Sequence, residues 1–223
     1  MRRIDCLPLA IFDLDNTLLR GDSDYAWGQF LIENRIVDGV AYERENNRYY
    51  AQYRAGTLDI MEFLAFALRP LVAHDRATLD RWHRQYMQTK VRPMITPQAR
   101  ALVEKHRRRG DTLVIVSATN RFVTGPIAQE FNVPNLIATE PETSGGRFTG
   151  KVAGTPCFRE GKVIRLKNWA QEHGLSLQGS WGYSDSHNDL PLLFQVEHPI
   201  AVNPDDILRR EAQKRGWEIL SLG

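Results

Sequence analysis

The stretch "LAIFDLDNTLL", residues 9–19, decides how the rest of the chain is read. Leu9 to Phe12 form a short apolar run with the length and character of a buried strand. Asp13 and Asp15 follow one residue apart, and apolar character is back at Leu18 and Leu19. In a parallel sheet, ligands bind beyond the carboxyl ends of the strands. One carboxylate at such an end serves well enough as an acceptor for loop amides. Two repel each other and lose hydration together, and a nearby cation is needed to offset this.

Working outward, "TLVIVSAT" (112–119), "LIAT" (136–139), "SWGYSD" (180–185) and "HPIAVN" (198–203) read as further strands. Helical patterns lie between them. "TPQARALVEKHRRRG" (96–110) opens with Thr96 as a cap and Pro97 at the first helical position, and stops at Gly110. "GKVIRLKNWAQEHG" (161–174) puts Val163, Leu166, Trp169 and Ala170 on one face. "NDLPLLFQV" (188–196) reads as a short helix, and "TSGGRFTGKVAG" (143–154) as a hairpin turning at Gly145-Gly146. Strands alternating with helices predict an α/β fold with a parallel sheet. Residues 20–91 differ, because helical patterns follow one another there with no strand-like run. The expected organisation is a core from 1–19 and 92–223, with a helical domain, 20–91, inserted between its first two strands.

A chain of 223 residues is long enough for such a core and a small companion. Its 29 basic and 27 acidic residues leave a net charge of +2, which gives no reason to expect nucleic acid or a membrane as partner. "EKHRRRG" (104–110) reads as cations complementing a helix C-terminus. Cys6 and Cys157 form no zinc spacing with histidines and read as unpaired thiols of a cytoplasmic protein. The apolar run after Arg2 and Arg3 is interrupted by Asp5 and ends at Asp13, too short for a secretion signal or a bilayer span. The oligomeric state is left open.

The first carboxylate pair is not alone. "YSDSHND" places Asp185 at another strand end and Asp189 four residues on. Carboxylates from two strand ends facing one crevice suit Mg²⁺, which takes one or two of them plus water and a substrate phosphate. A third strand carries Ser117 near its end, with a hydroxyl and neighbouring backbone N–H groups available. Lys162, after Gly161 and before the apolar Val163, Ile164 and Leu166, opens a helix that could bring its ammonium to the same crevice. Nucleophilic carboxylate, second carboxylate, metal, hydroxyl and lysine together make a phosphoryl-transfer site.

In that order, these segments resemble the motifs of the haloacid dehalogenase-like (HAD) hydrolase superfamily. "DLDNT", Asp13 to Thr17, looks like its D-x-D-x-T motif. Ser117 in "VIVSAT", Lys162 in "REGKVIRL" and the acidic "YSDSHNDLPLL" look like the second, third and fourth motifs. The resemblance implies a Rossmann-like HAD core with a type I helical cap over 20–91, and the hairpin "GGRFTGKV" is most similar to the phosphoserine-phosphatase-like branch, subfamily IB. It implies a Mg²⁺-dependent phosphatase acting on a small phosphorylated metabolite through an aspartyl-phosphate. Asp13 is then the nucleophile and Asp15 the general acid/base. Dehalogenase members lack a carboxylate at the Asp15 position, so halide release is not expected. Thr17 fixes the loop, Ser117 and the Ala118 N–H hold phosphate oxygens, and Lys162 offsets charge. Asp13, the Asp15 main-chain carbonyl and Asp185 would hold the metal. Asp189 has three open roles: ligation through water, orientation of Lys162, or helix capping.

The substrate end departs from phosphoserine phosphatase. The flap "LLRGDSDYAWG" offers Asp22 and Asp24 where that enzyme has a glutamate, "SATN" stands for "SGG", and "YSDSHND" for "GDGAND". The two flap aspartates suggest an amine-bearing substrate, such as histidinol phosphate or phosphoserine. Arg48 and Arg54, in an aromatic-rich stretch, and Asn188 are further candidates for reading it. The rivals are a phosphomutase on the same fold and a non-catalytic phospho-accepting receiver-type module, against which the helical insert argues. A dinucleotide-binding module is remote, because no G-x-G-x-x-G follows the first strand.

Overall fold

The run Leu9–Phe12 is strand β1, fully buried near the middle of a sheet, in a computed structural model that describes residues 8–223. The readings of Cys6 and of the segment around Arg2, Arg3 and Asp5 lie outside the described residues. β2 (Thr112–Asn120) and β6 (Trp181–Ser184) pair with β1 on either side, both parallel. Outside them lie β3 (Asn135–Thr139), β7 (His198–Val202) and β8 (Glu218–Leu220), giving the all-parallel order β3-β2-β1-β6-β7-β8. β4 (Pro141–Ser144) and β5 (Arg147–Val152) form the separate hairpin around Gly145-Gly146. The chain moves outward from β1 in one direction and later returns to its other side, so β1 borders the switch point where such sheets open a crevice.

Alternation along the central strands covers both faces of the sheet. Ala10, Phe12, Leu113 and Ile115 face one apolar cluster, while Leu9, Ile11, Val114 and Val116 face the other, with Leu166 and Leu192.

Between β1 and β2 the described chain is helical: α1 (Ser23–Glu33), α2 (Gly39–Ala55), α3 (Ile60–Ala67), α4 (Arg69–Ala73), α5 (Arg76–Tyr86), a π-helical turn over Met87–Val91, and α6 (Arg92–Met94). Aspartates at 22, 38, 59 and 75 cap α1, α2, α3 and α5 by accepting first-turn N–H groups, which explains where these helices begin. Trp27, Phe30, Leu31 and Tyr86 of this block are buried in the same cluster as Phe12 and Phe122.

After the insert come α7 (Pro97–Arg109), capped by Thr96 and ended by Gly110, then α8 (Arg121–Glu130), α9 (Glu160–Glu172), α10 (Leu190–Leu193) and α11 (Asp206–Arg215). The helix expected over 188–196 is shorter than its pattern: a 3₁₀ turn, His187–Asp189, leads into four residues of α10. No helix among the described residues is long and apolar enough to cross a membrane.

Candidate active site

Asp13 follows β1 directly, and its N–H donates to the Tyr183 carbonyl at 2.9 Å, extending the β1–β6 ladder by one bond. This fixes its backbone, and two groups fix its side chain. Lys162 Nζ donates to Oδ1 at 2.7 Å, and the Thr17 hydroxyl lies 3.2 Å from Oδ2. The same hydroxyl lies 3.2 Å from Asp185 Oδ1 and accepts the Asp185 N–H at 3.0 Å. One threonine therefore ties the ends of β1 and β6 together.

Lys162 reaches the crevice from the first turn of α9, where a Cβ on Gly161 would meet the Pro156 carbonyl at 2.1 Å. Only glycine lets the helix start that close to the preceding loop. The ammonium also donates to Asp189 Oδ2 at 2.7 Å, and Ser184 Oγ donates to that same oxygen at 2.7 Å. Of the three roles open to Asp189, this geometry favours orienting Lys162.

Asp15 is held differently. Its Oδ1 accepts the Ser23 N–H at 2.6 Å, from the start of α1, and its Oδ2 accepts the Thr119 hydroxyl at 2.9 Å. Neither partner carries a charge. Burial pushes the Asp13 carboxyl up to about 7, against the pull of Lys162. Burial and the neighbouring Asp22 push Asp15 up to about 6, with the Ser23 and Thr119 hydrogen bonds pulling the other way. Asp185 is raised by burial and by Asp13. Burial would lower the Lys162 ammonium, but Asp13 and Asp189 outweigh it and hold it above its usual range.

Among the described residues, no group of three or more His, Cys, Asp or Glu side chains is placed to hold a metal. Two carboxylates remain in position: Asp13 and Asp185, both buried and joined by the Thr17 hydroxyl, which has one proton to donate between them. Two carboxylates sharing one hydroxyl proton make an oxygen-only donor set of the kind that hard cations take.

A cavity opens beside Asp13 and Asp15, walled by Tyr25, Tyr49, Tyr50, Tyr53, Phe63 and Phe158, with Asp22 on its lining. Ala118 and Thr119 border it from β2, and among the described residues no lysine or arginine does. Asp22 also caps α1 by accepting the Tyr25 N–H through Oδ1 at 2.8 Å. Asp24 does not reach this lining; its Oδ2 is buried without a hydrogen-bond partner. Arg48 is likewise displaced from the expected role, because it pairs with Glu45 at 2.8 Å and Glu62 at 3.0 Å outside the cavity. Arg54 borders a second, more open hollow with Asn16, Asp185 and Arg210. Asn188 joins the helical block to the core: it donates to the Tyr53 carbonyl at 3.1 Å and accepts from Arg159 Nε at 3.0 Å. Arg159 also donates to the Gly56 carbonyl. Ser117 is fully buried, and its hydroxyl accepts the Thr119 N–H at 3.1 Å. Sequence reasoning missed Tyr25, Asn46, Phe63, Thr119 and Phe158 at this site. Of these, Tyr25, inside the quoted flap, and Thr119, inside the quoted second motif, carried a signal that could have been followed.

A family model described as haloacid dehalogenase-like hydrolase matches residues 10–193. A histidinol-phosphatase of Neisseria meningitidis is 46% identical over 217 residues, covering 96% of this chain and 98% of its own. A phosphoserine phosphatase of Mycobacterium tuberculosis is 31% identical over 229 residues, covering 97% of this chain and 71% of its own. Among solved structures, a Bordetella pertussis protein of unknown function superposes with a TM-score of 0.92 at 46% identity, over 98% of this chain and 100% of its own. A phosphoserine phosphatase captured as an analogue of its phospho-aspartyl intermediate shares the fold, with a TM-score of 0.71 at 18% identity over 98% of this chain and 95% of its own.

Proposed function

The chain belongs to the haloacid dehalogenase-like hydrolase family, and from that premise we propose a Mg²⁺-dependent phosphatase of small amine-bearing phosphomonoesters, with histidinol phosphate as its substrate. The observation that carries this reading is the pairing of two unlike carboxylates with one aromatic cavity. Asp13 is held by a cation and Asp15 by neutral donors, and both border the same space.

In the first step an Asp13 carboxylate oxygen forms a bond to phosphorus. The bond from phosphorus to the ester oxygen breaks, its electron pair stays on that oxygen, and Asp15 supplies the proton, so a neutral alcohol leaves. In the second step Asp15, now a carboxylate, takes a proton from water as the water oxygen attacks phosphorus. The phosphorus–Asp13 bond breaks, the electrons return to the Asp13 carboxylate, and inorganic phosphate departs. Lys162 stabilises the charge gathered on Asp13 and the phosphate, while Asp189 and Ser184 hold Lys162 in place. Ala118, at the end of β2, contributes its N–H to the phosphate oxygens, and buried Ser117 braces that end. Asp13, Asp185 and the Asp15 main-chain carbonyl would hold Mg²⁺, which supplies charge neutralisation for the transferring phosphoryl group.

The alcohol half falls in the aromatic cavity. An imidazole ring packs against tyrosine and phenylalanine faces, and an ammonium finds Asp22. Phosphoserine brings a carboxylate as well, and among the described residues the lining offers it no lysine or arginine. Helical residues 20–91 act as the cap that shuts this space from water, latched through Asn188 and Arg159. The buried free Cys157 suits a reducing compartment, and we place the enzyme in the cytoplasm.

The test is phosphate release from histidinol phosphate, phosphoserine and p-nitrophenyl phosphate, with Mg²⁺ and with EDTA. Histidinol phosphate is expected to exceed phosphoserine in kcat/KM by at least about tenfold, and EDTA to abolish release. Equal or better turnover of phosphoserine would overturn the substrate assignment. Transfer to a second hydroxyl without free phosphate would make the protein a mutase.

A further inference from the structure

β2 does not run straight into the crevice. Its pairing with β3 matches Ser117 to Ala138 and then Asn120 to Thr139, so Ala118 and Thr119 are two extra residues on the β2 side. Such bulges re-aim side chains beside functional sites. Here the bulge is pinned on both flanks: the Thr119 N–H donates to Ser117 Oγ at 3.1 Å, and the Ala118 carbonyl accepts the Thr139 hydroxyl at 2.8 Å. The result is a buried Thr119, 5% exposed, whose hydroxyl donates to Asp15 Oδ2 at 2.9 Å.

The carboxyl group of an aspartate rotates easily about its last bond. A single donor leaves that rotation partly free. Asp15 has two donors, on different oxygens and from different elements: the Ser23 N–H at the start of α1 and the Thr119 hydroxyl from the bulge. Together they define the plane of the carboxyl group. Asp15 and Thr119 both border the cavity.

We infer that Thr119, in the "SATN" that sets this chain's second motif apart, is a positioning residue that orients Asp15 for both of its proton transfers. It acts through Asp15 and is no proton carrier itself. Valine at 119 keeps the shape and removes the donor; serine keeps the donor and removes the methyl group. The inference rests on the phosphatase reading above, and the experiment separates the two.

Steady-state kinetics on histidinol phosphate and p-nitrophenyl phosphate would be run with Mg²⁺ on wild type, Thr119→Val and Thr119→Ser, each checked for an unchanged melting temperature. For Thr119→Val, kcat is expected to fall about 10- to 100-fold with KM within about threefold, as for a misplaced proton-transfer group. Thr119→Ser is expected to stay within about threefold of wild type on both constants, since the hydroxyl is what matters. Because p-nitrophenolate leaves without an added proton, Thr119→Val should show a burst of p-nitrophenol followed by slow turnover, as only its second step needs Asp15. Thr119→Val with unchanged kcat, a rise confined to KM, or equal losses in the serine and valine variants would each overturn the inference. A folded wild type that releases phosphate from neither ester would instead sink the phosphatase reading.

Discussion

The two ends of the candidate site are built by opposite means. At the phosphoryl end, Asp13, Asp15, Thr17, Lys162, Asp185 and Asp189 are tied to one another or to backbone by the hydrogen bonds described above. At the alcohol end the walls are mostly aromatic rings from α1, α2 and α3, with Phe158 from the loop before α9, and Asp22 stands among them. The difference has a physical meaning. Charge development on a phosphoryl group is the same for every ester, so its supports are best fixed in advance. Recognition of the alcohol rests instead on the shape of the aromatic wall and on Asp22, the acidic group it leaves on the lining.

The sharpest way to break this contrast is at Asp13. Asp13→Asn keeps an oxygen for Lys162 and removes the nucleophile. Turnover is expected to fall on the order of 10⁴-fold or more, with the fold retained by circular dichroism. Acid-quenched protein should then carry no phosphoryl group, where the wild type does. If the variant turned over within about tenfold of wild type, the attack would come from water directly, and the division of labour between Asp13 and Asp15 would collapse.

The same contrast explains what was legible in the sequence. Asp13 and Asp185 each sit one residue beyond a strand, and Lys162 sits in the first turn of a helix. In a parallel sheet such positions converge, so a linear reading finds them. The cavity wall has no such rule. Tyr25, Asn46, Phe63 and Phe158 meet only because four segments pack together, and each alone is an ordinary helix or loop residue. Elements were missed for local reasons too. α8 went unread; it carries Gly125 and Pro126 in its interior, Asn120 caps it at the Val123 N–H, and the Thr124 hydroxyl donates to the Asn120 carbonyl. α11 and β8, toward the far edge of the sheet, also went unread. Arg48 was drawn toward the site by its aromatic neighbours, but two glutamates hold it outside the cavity.

A milder perturbation sharpens the comparison at the alcohol end. Asp22→Asn preserves the Oδ1 acceptor that caps α1 and removes the charge facing the cavity. A charge-assisted hydrogen bond contributes about 1.5–3 kcal/mol, so kcat/KM for histidinol phosphate should drop about 10- to 100-fold. For p-nitrophenyl phosphate, which has no amine, the loss should be at least about fivefold smaller and confined to what losing the Asp22 push on Asp15 takes from the second step. Parallel losses on both esters would place Asp22 in the chemistry and erase the boundary between the two ends.

The smallest effect concerns what stands behind the fixed end. His106 of α7 is fully buried, with Nδ1 2.6 Å from Asp111 Oδ2 and Nε2 2.6 Å from the Tyr183 hydroxyl. Tyr183 stacks on Phe12 at 5.1 Å and gives its carbonyl to Asp13, so this trio braces the strand ends that carry the nucleophile. Burial, the largest influence, favours the neutral ring; Asp111 opposes it, and Arg109 and Lys105 reinforce it, so the ring titrates below its ordinary value of 6.5. A folded state that holds histidine neutral binds fewer protons than the unfolded chain as pH falls through 6.5. Stability contributed at this site is therefore intact above that pH and declines below it. His106→Gln keeps a donor and an acceptor but cannot titrate. Urea unfolding at pH 7.5 and 5.5 should show the variant less stable at the higher pH, with its gap from wild type narrowing by at most about 1.4 kcal/mol at the lower one. A gap that widened on acidification would mean a charged imidazolium paired with Asp111. The brace behind the phosphoryl end would then be an ion pair, and its support for Asp13 would grow stronger in acid instead of weaker.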